Sequence, residues 1–188
     1  MSSGAQETEI KLAVGEARTA RRRLRAAGFR VSRARVFESN TVFDTPKLGL
    51  RRASCLLRIR EAGGRATLTY KGAPLPGRHK SRQEIELEIA RPAAMADIIA
   101  RLGYVPVFRY QKYRTEYQEA RGGGVATVDE TPIGVYLELE GSPRWIDRTA
   151  RRLGFSEDEY ITASYGRLYL QWCETRGKRP SHMVFRGR

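Results

Sequence analysis

Charged and large apolar residues alternate one for one in several short stretches of the chain. In Glu7-Thr8-Glu9-Ile10-Lys11-Leu12, the residues Glu7, Glu9 and Lys11 fall on one set of positions and Ile10 and Leu12 on the other. Side chains of a β-strand point alternately to two faces, so this period places the charges on one face and the apolar groups opposite. The pattern returns in Leu57-Arg58-Ile59-Arg60, in Arg82-Gln83-Glu84-Ile85-Glu86-Leu87-Glu88-Ile89, in Lys112-Tyr113-Arg114-Thr115-Glu116-Tyr117 and in Leu137-Glu138-Leu139-Glu140. With the turn signals Gly63-Gly64, Pro74 to Gly77, Gly103, Gly122-Gly123-Gly124 and Thr131-Pro132-Ile133-Gly134, it predicts strands near 6–14, 30–43, 55–61, 66–71, 82–90, 104–119, 125–130 and 135–141. Helical spacing is confined to four segments. Residues 16–27 stop at Gly28, residues 93–102 stop at Gly103, residues 143–153 open on Ser142-Pro143 and stop at Gly154, and the fourth runs over 164–175.

An ordinary amphipathic sheet, apolar on its core side and charged towards solvent, explains any one of these strands. Three features argue against it for the set. The charged faces are almost purely Glu, Arg and Lys. Like charges stand two apart on one strand (Glu7/Glu9, Arg58/Arg60, Glu138/Glu140) and repel unless a counter-ion lies between them. Three amphipathic helices need an apolar surface to pack on. A closed, eight-stranded antiparallel β-barrel answers all three: a mainly β, α+β fold with helices packed outside and a hydrated, charged tunnel within. Unpaired ions in a dry interior would each cost several kcal/mol, so the tunnel has to hold ions of both signs. Three same-face positions span about 13 Å at about 3.3 Å per residue, comparable with an extended triphosphate and its metals. Paired carboxylates suit hard Mg²⁺ or Mn²⁺, while Arg and Lys neutralise phosphate oxygens.

Composition sharpens this only a little. The 188 residues suggest one domain over 1–175, followed by a basic, Gly/Pro-punctuated segment over 176–188 that is expected to be a mobile tail. A net charge of +14 favours an anionic ligand without choosing among them. Cys55 and Cys173 lie far apart and outside any CxxC, which excludes a cysteine metal site and fits a reducing, cytoplasmic setting. No apolar run approaches the length of a membrane span, and Met1 to Glu7 does not read as a secretory signal.

At these residues the chain resembles the CYTH superfamily, the triphosphate tunnel metalloenzymes. Glu7-Thr8-Glu9-Ile10-Lys11 is similar to that family's ExExK signature, and Phe43-Asp44-Thr45-Pro46, Leu48 and Leu57-Arg58-Ile59-Arg60 resemble its next conserved segment. Thr69-Tyr70-Lys71-Gly72, Arg82-Gln83-Glu84-Ile85-Glu86, Lys112-Tyr113-Arg114, Asp129 and Glu138-Leu139-Glu140 follow in the family's order. The resemblance implies metal ligands at Glu7, Glu9, Glu138 and Glu140, with Asp129 and Glu86 supporting or sharing the task. It implies phosphate contacts from Lys11, Arg58, Arg60, Lys71, Lys112 and Arg114, with Arg82 as a further candidate. Lys71 is the expected catalytic side chain for proton transfer, with Tyr70 as an alternative. The implied activity is metal-dependent cleavage of a small-molecule triphosphate: inorganic, thiamine or nucleoside. The alternatives are cyclic AMP formation by a class IV, CyaB-type cyclase and non-catalytic binding of polyphosphate or nucleotide. The His-Phe pair expected before ExExK in such cyclases is absent from Met1-Ser2-Ser3-Gly4-Ala5-Gln6, which tilts the reading towards hydrolysis. A homodimer is compatible with the resemblance; a membrane or nucleic-acid partner is not expected.

The remaining chemistry reads as structural. His79 and His182 lack metal-ligand spacing and are expected at the surface. Arg18 to Arg25 reads as a solvated helix face, and Tyr110, Tyr113 and Tyr117 are expected to pack outside the barrel. No GxxxxGK[ST] or Gly-x-Ser-x-Gly motif occurs.

Overall fold

The computed structural model describes residues 5–120 and 122–186; the first four positions of the amino-terminal stretch compared with the cyclases, and the last two of the basic segment, lie outside them. Eight antiparallel strands close into a barrel in the order β1-β5-β4-β3-β2-β6-β7-β8. They are β1 (Ala5–Val14), β2 (Arg30–Asp44), β3 (Leu56–Ala62), β4 (Arg65–Lys71), β5 (Lys80–Ile89), β6 (Val105–Gln118), β7 (Gly124–Thr131) and β8 (Gly134–Gly141). The helices are α1 (Ala17–Ala26), the one-turn α2 (Gly49–Arg52), α3 (Pro92–Arg101), α4 (Pro143–Arg152) and α5 (Tyr165–Glu174). Only α2 and a 3₁₀ turn at Glu157–Glu159 were not expected from the spacing of apolar residues, being too short to show a period.

The outward apolar faces make the core. Ile10 and Leu12 of β1, Ala126 and Val128 of β7 and Leu137 and Leu139 of β8 are buried beneath α1 (Ala20, Leu24) and α4 (Trp145, Ile146, Ala150). Each buried Ile, Leu or Val among them contributes roughly 1.5–3 kcal/mol on leaving water. Ser142 starts α4 by accepting a 3.3 Å hydrogen bond from the Trp145 amide, with Pro143 in the first turn. Trp145 also presses on the hairpin between β6 and β7: a Cβ on Gly124 would meet its ring at 2.6 Å, so glycine is required there. A second cluster joins Phe43, Ile59, Ala66 and Ile89 to Met95 and Ile99 of α3.

Helix α5 behaves differently from the other three long helices. It closes one end of the barrel, where Tyr165, Tyr169 and Cys173 pack on Tyr110 and Phe108 of β6, Val42 and Tyr136. Two of the eight seams stop short at this end, and each is continued by a segment from later in the chain. The β1–β5 pairing ends at Glu9/Lys80, beyond which Ile161 exchanges two backbone hydrogen bonds with Lys11, at 2.8 and 2.9 Å. The β6–β7 pairing ends at Tyr113/Glu130, beyond which the Met183 amide donates to Arg109 and its carbonyl accepts from Gln111. The carboxy-terminal segment, expected as a loose tail, therefore has a packed anchor: Met183 is buried and the Phe185 ring lies 5.3 Å from that of Tyr113.

Candidate active site

The strand register puts the charged residues of the alternating stretches on the inward face, with Glu86, Glu88 and Glu140 exposed towards its ends. Glu9 stands opposite Lys80 on β5 and Glu140 on β8, and Lys11 opposite Glu138. Arg58 faces Thr69, Lys71 faces Glu84, and Arg114 faces Asp129. All thirteen site residues expected from the sequence line one tunnel, or in the case of Glu86 and Glu140 its rim.

These groups form a nearly continuous circuit of alternating sign. Lys80 reaches Glu9 (2.8 Å); Lys11 reaches Glu9 and Glu138 (both 3.3 Å); Arg114 contacts Glu138 and, at 2.6 Å, Asp129. Lys112 continues from Asp129 (2.7 Å) to Glu38 (3.6 Å), and Arg60 from Glu38 (3.9 Å) to Glu86 (2.7 Å), where Arg58 ends the path at 3.6 Å. The path starts at Lys80 on β5, passes around the barrel, returns to β5 at Glu86 and ends at Arg58 on β3. Beside it, Lys71 sits between Glu7 (2.6 Å) and Glu84 (3.1 Å), and the Arg82 Nε lies 3.6 Å from Glu7. The pairs Glu7/Glu9 and Arg58/Arg60 thus have the counter-ions that their spacing required, and Glu138 has Lys11 and Arg114, whereas Glu140 makes no ion pair among the described residues.

Electrostatics separates the carboxylates into two kinds. Burial alone would raise Glu9 and Glu138, yet Lys11 and Lys80 beside the one, and Arg114 and Lys11 beside the other, hold both well below the usual carboxylate range. Glu140 is the opposite case: its side chain reaches solvent at the rim, but the crowding of its carboxyl by protein, with Glu7, Glu9 and Glu84 near, raises it to about 7 against the pull of Lys71. Glu84 is raised for the same reasons, burial first. Lys80 is lowered to about 8, chiefly by burial, with Lys11 and Arg82 adding to it and Glu9 opposing.

Glu7, Glu9, Glu84, Glu138 and Glu140 make an all-oxygen donor set whose mutual repulsion a hard divalent cation would relieve, so the residues fit such an ion chemically. Among the described residues no three stand together as a ready-made cage, and ammonium or guanidinium groups occupy Glu7, Glu9, Glu84 and Glu138. Asp129 and Glu86 are committed differently. Asp129 is fully buried and accepts from Lys112, Arg114 and the Tyr165 hydroxyl (2.8 Å). Glu86 accepts from Arg60 and from the Thr69 hydroxyl.

Several inward residues lie outside the expected set. Lys80 and Glu84 share the face of Arg82 and Glu86, and Glu38 and Asn40 face inward from β2 between polar neighbours that hide the period. Tyr110 also points inward, contrary to the expectation that it packs outside. It continues the even-numbered face of Lys112 and Arg114, and its hydroxyl accepts from Arg58 Nη1 at 3.0 Å. Tyr113 and Tyr117 do lie outside, against Phe37 and in the main core. His79 is another correction. It is buried, with Nε2 2.7 Å from Asp147 of α4, and Tyr160 and Arg78 share that carboxylate. A folded-over loop, invisible in local sequence, brings them together. No helix among the described residues is long and apolar enough to cross a membrane.

Comparison with known proteins agrees with this geometry. A protein of Methanocaldococcus jannaschii named "Putative adenylate cyclase MJ0240" is 28% identical over 170 residues, covering 85% of this chain and 95% of that one. The PH1819 protein of Pyrococcus horikoshii superposes with a TM-score of 0.74 at 25% identity, over 88% of this chain and 98% of its own. HpAC1 of Hippeastrum, named a "putative adenylyl cyclase" and described as having a dominant triphosphatase activity, superposes with a TM-score of 0.62 at 20% identity, over 93% and 97%. The CYTH domain profile matches residues 5–165, all eight strands of the barrel and the first residue of α5, and this chain belongs to the CYTH family.

Proposed function

We propose that this chain hydrolyses a phosphoanhydride bond of a small-molecule triphosphate with the help of Mg²⁺ or Mn²⁺. The observation that carries the reading is the circuit of alternating cations and carboxylates on the inner wall, which offers partners for a polyanion and for its metal in the same space. Lys11, Arg58, Arg60, Lys71, Arg82, Lys112 and Arg114 would bind phosphate oxygens. Glu7, Glu9, Glu138 and Glu140, with Glu84 beside them, would hold the divalent ion, which supplies charge neutralisation and a more acidic bound water. Asp129 and Glu86 are better placed to orient the phosphate-binding cations than to ligate metal. Lys71, held between Glu7 and Glu84, suits phosphate binding. Lys80, lowered to about 8, is the better candidate to exchange a proton near neutral pH.

The triphosphatase activity described for HpAC1 supports hydrolysis, and the name of the M. jannaschii relative supports a second reading, cyclisation of ATP. Both begin from the same bound triphosphate and differ in the attacking oxygen. Incubation with tripolyphosphate, ATP and thiamine triphosphate, with and without Mg²⁺ or Mn²⁺, separates them by release of phosphate or of cyclic AMP. Glu7→Gln together with Glu9→Gln is expected to lower metal-dependent turnover by at least about 10–100-fold, the range seen for groups one step further from a metal. Binding of all three compounds without turnover of any would reduce the tunnel to a polyphosphate or nucleotide receptor.

A further inference from the structure

The loop that joins β4 to β5 has a tunnel lysine at each end: Lys71 closes β4 and Lys80 opens β5. Its sequence, Gly72-Ala73-Pro74-Leu75-Pro76-Gly77-Arg78-His79, supplies little that could hold it in place. Residues 73–78 are exposed, and the amides of Gly72 and Leu75 donate only to Gln83 and Ser81 of the adjoining strand. Lys80 is the last residue of the β1–β5 pairing, and the β4–β5 pairing stops earlier, at Lys71/Glu84. No ladder therefore secures the end of β5 that carries Lys80.

The support lies outside the barrel. Among the described residues, the loop's hydrogen bonds and ion pairs to the rest of the chain come from Arg78 and His79 alone. His79 Nε2 is 2.7 Å from Asp147 Oδ1, and Arg78 Nη2 donates to Oδ2 at 2.8 Å. Asp147 is buried on α4, whose Trp145, Ile146 and Ala150 are fixed in the main core. Its third partner is the Tyr160 hydroxyl, which donates to Oδ1 at 3.2 Å. The next residue, Ile161, is the one that exchanges backbone hydrogen bonds with Lys11. One carboxylate behind the wall thus holds the neighbours of both Lys80 and Ile161, at the place where Lys80 and Lys11 contact Glu9 from within. Stripping a buried carboxylate of its partners is costly, so this latch resists opening.

We infer that Asp147 is a positioning residue for the tunnel: by holding His79 it fixes Lys80 at the wall, where the ammonium group faces Glu9 and an incoming triphosphate. The inference rests on the triphosphate reading of the tunnel and adds to it a residue that touches no ligand. The link is one residue long. With consecutive Cα atoms about 3.8 Å apart, His79 cannot leave Asp147 by far without drawing Lys80 with it.

The test is a double-mutant cycle of Asp147→Asn, which keeps the size and removes the charge, with Lys80→Met. The probe is diimidotriphosphate (a triphosphate with N–H in place of both bridging oxygens), titrated calorimetrically in the presence of Mg²⁺. Each single variant is expected to weaken binding about fivefold or more, whereas Asp147→Asn should change it less than about twofold once Lys80 is methionine. A merely structural role would lower affinity alike on both backgrounds, so equal losses overturn the inference, as does full affinity in either single variant. His79→Leu cuts the same link from the loop side and replaces Asp147→Asn in the cycle should that variant fail to fold. If the wild type does not bind the probe, the triphosphate reading falls and the inference with it, a result distinct from equal losses.

Discussion

Glu38 shows how a single side chain can be held ionised in a nearly dry place. It is 1% exposed, and burial by itself would favour the neutral acid; Lys112, Arg114, Arg60 and Arg58 reverse that and bring it down to about 2. A carboxyl lowered from 4.5 to about 2 on folding binds fewer protons in the native state than in the unfolded one. Its contribution to stability is therefore complete above pH 4.5 and disappears as the pH falls towards 2. Comparing denaturant midpoints of wild type and Glu38→Gln should show a gap at pH 6 that closes by pH 2, and a gap of constant size would refute this account. At this scale the sequence was informative where charges repeat every second residue and silent elsewhere. Glu38 and Asn40 alternate with Ser39 and Thr41, so no contrast between faces marks them. Lys80 follows Gly77-Arg78-His79 and reads as loop, whereas it is the first residue of β5. Tyr165 reaches the tunnel from a helix, and no strand period could have pointed to it.

Element boundaries were legible because each strand's alternation ends at a glycine, a proline or a helix cap, and the three outer helices carry those stops themselves. What could not be read was how the sheared end of the barrel is finished. Ile161 and Met183 each form a single β-bridge, and one residue of pairing has no periodicity to detect. Met183 nonetheless covers the part of β6 that β7 does not reach, and its side chain is 1% exposed. Ending the chain at Lys178 is expected to cost at least the roughly 1.5–3 kcal/mol of burying that methionine and to leave Arg109–Gln111 as an unpaired strand edge, which favours self-association. Thermal melting and size-exclusion chromatography of the shortened chain would check both. An unaltered melting temperature would mean that the docked segment contributes nothing to the barrel.

Across the whole molecule, the net charge of +14 is not where the chemistry is. Carboxylates match cations along the inner wall, so the excess of arginine lies on the outer surface, and bulk composition gave no view of the interior. The facing argument succeeded because closing a sheet turns a local alternation into a global inside and outside. The same closure governs how guests enter. Every ammonium and guanidinium group of the tunnel has a carboxylate within 4 Å, from Lys80 round to Arg58 and across the Lys71 branch. A lone anion would have to strip carboxylates of their partners, and a lone cation would have to evict an ammonium. Taken up together, each guest receives the group that the other displaces, in the manner of a mixed-bed ion exchanger. Mg²⁺ and a non-hydrolysable triphosphate should therefore strengthen each other's binding by one common factor, measurable in either order of titration, and two independent isotherms would show that the wall yields to each alone.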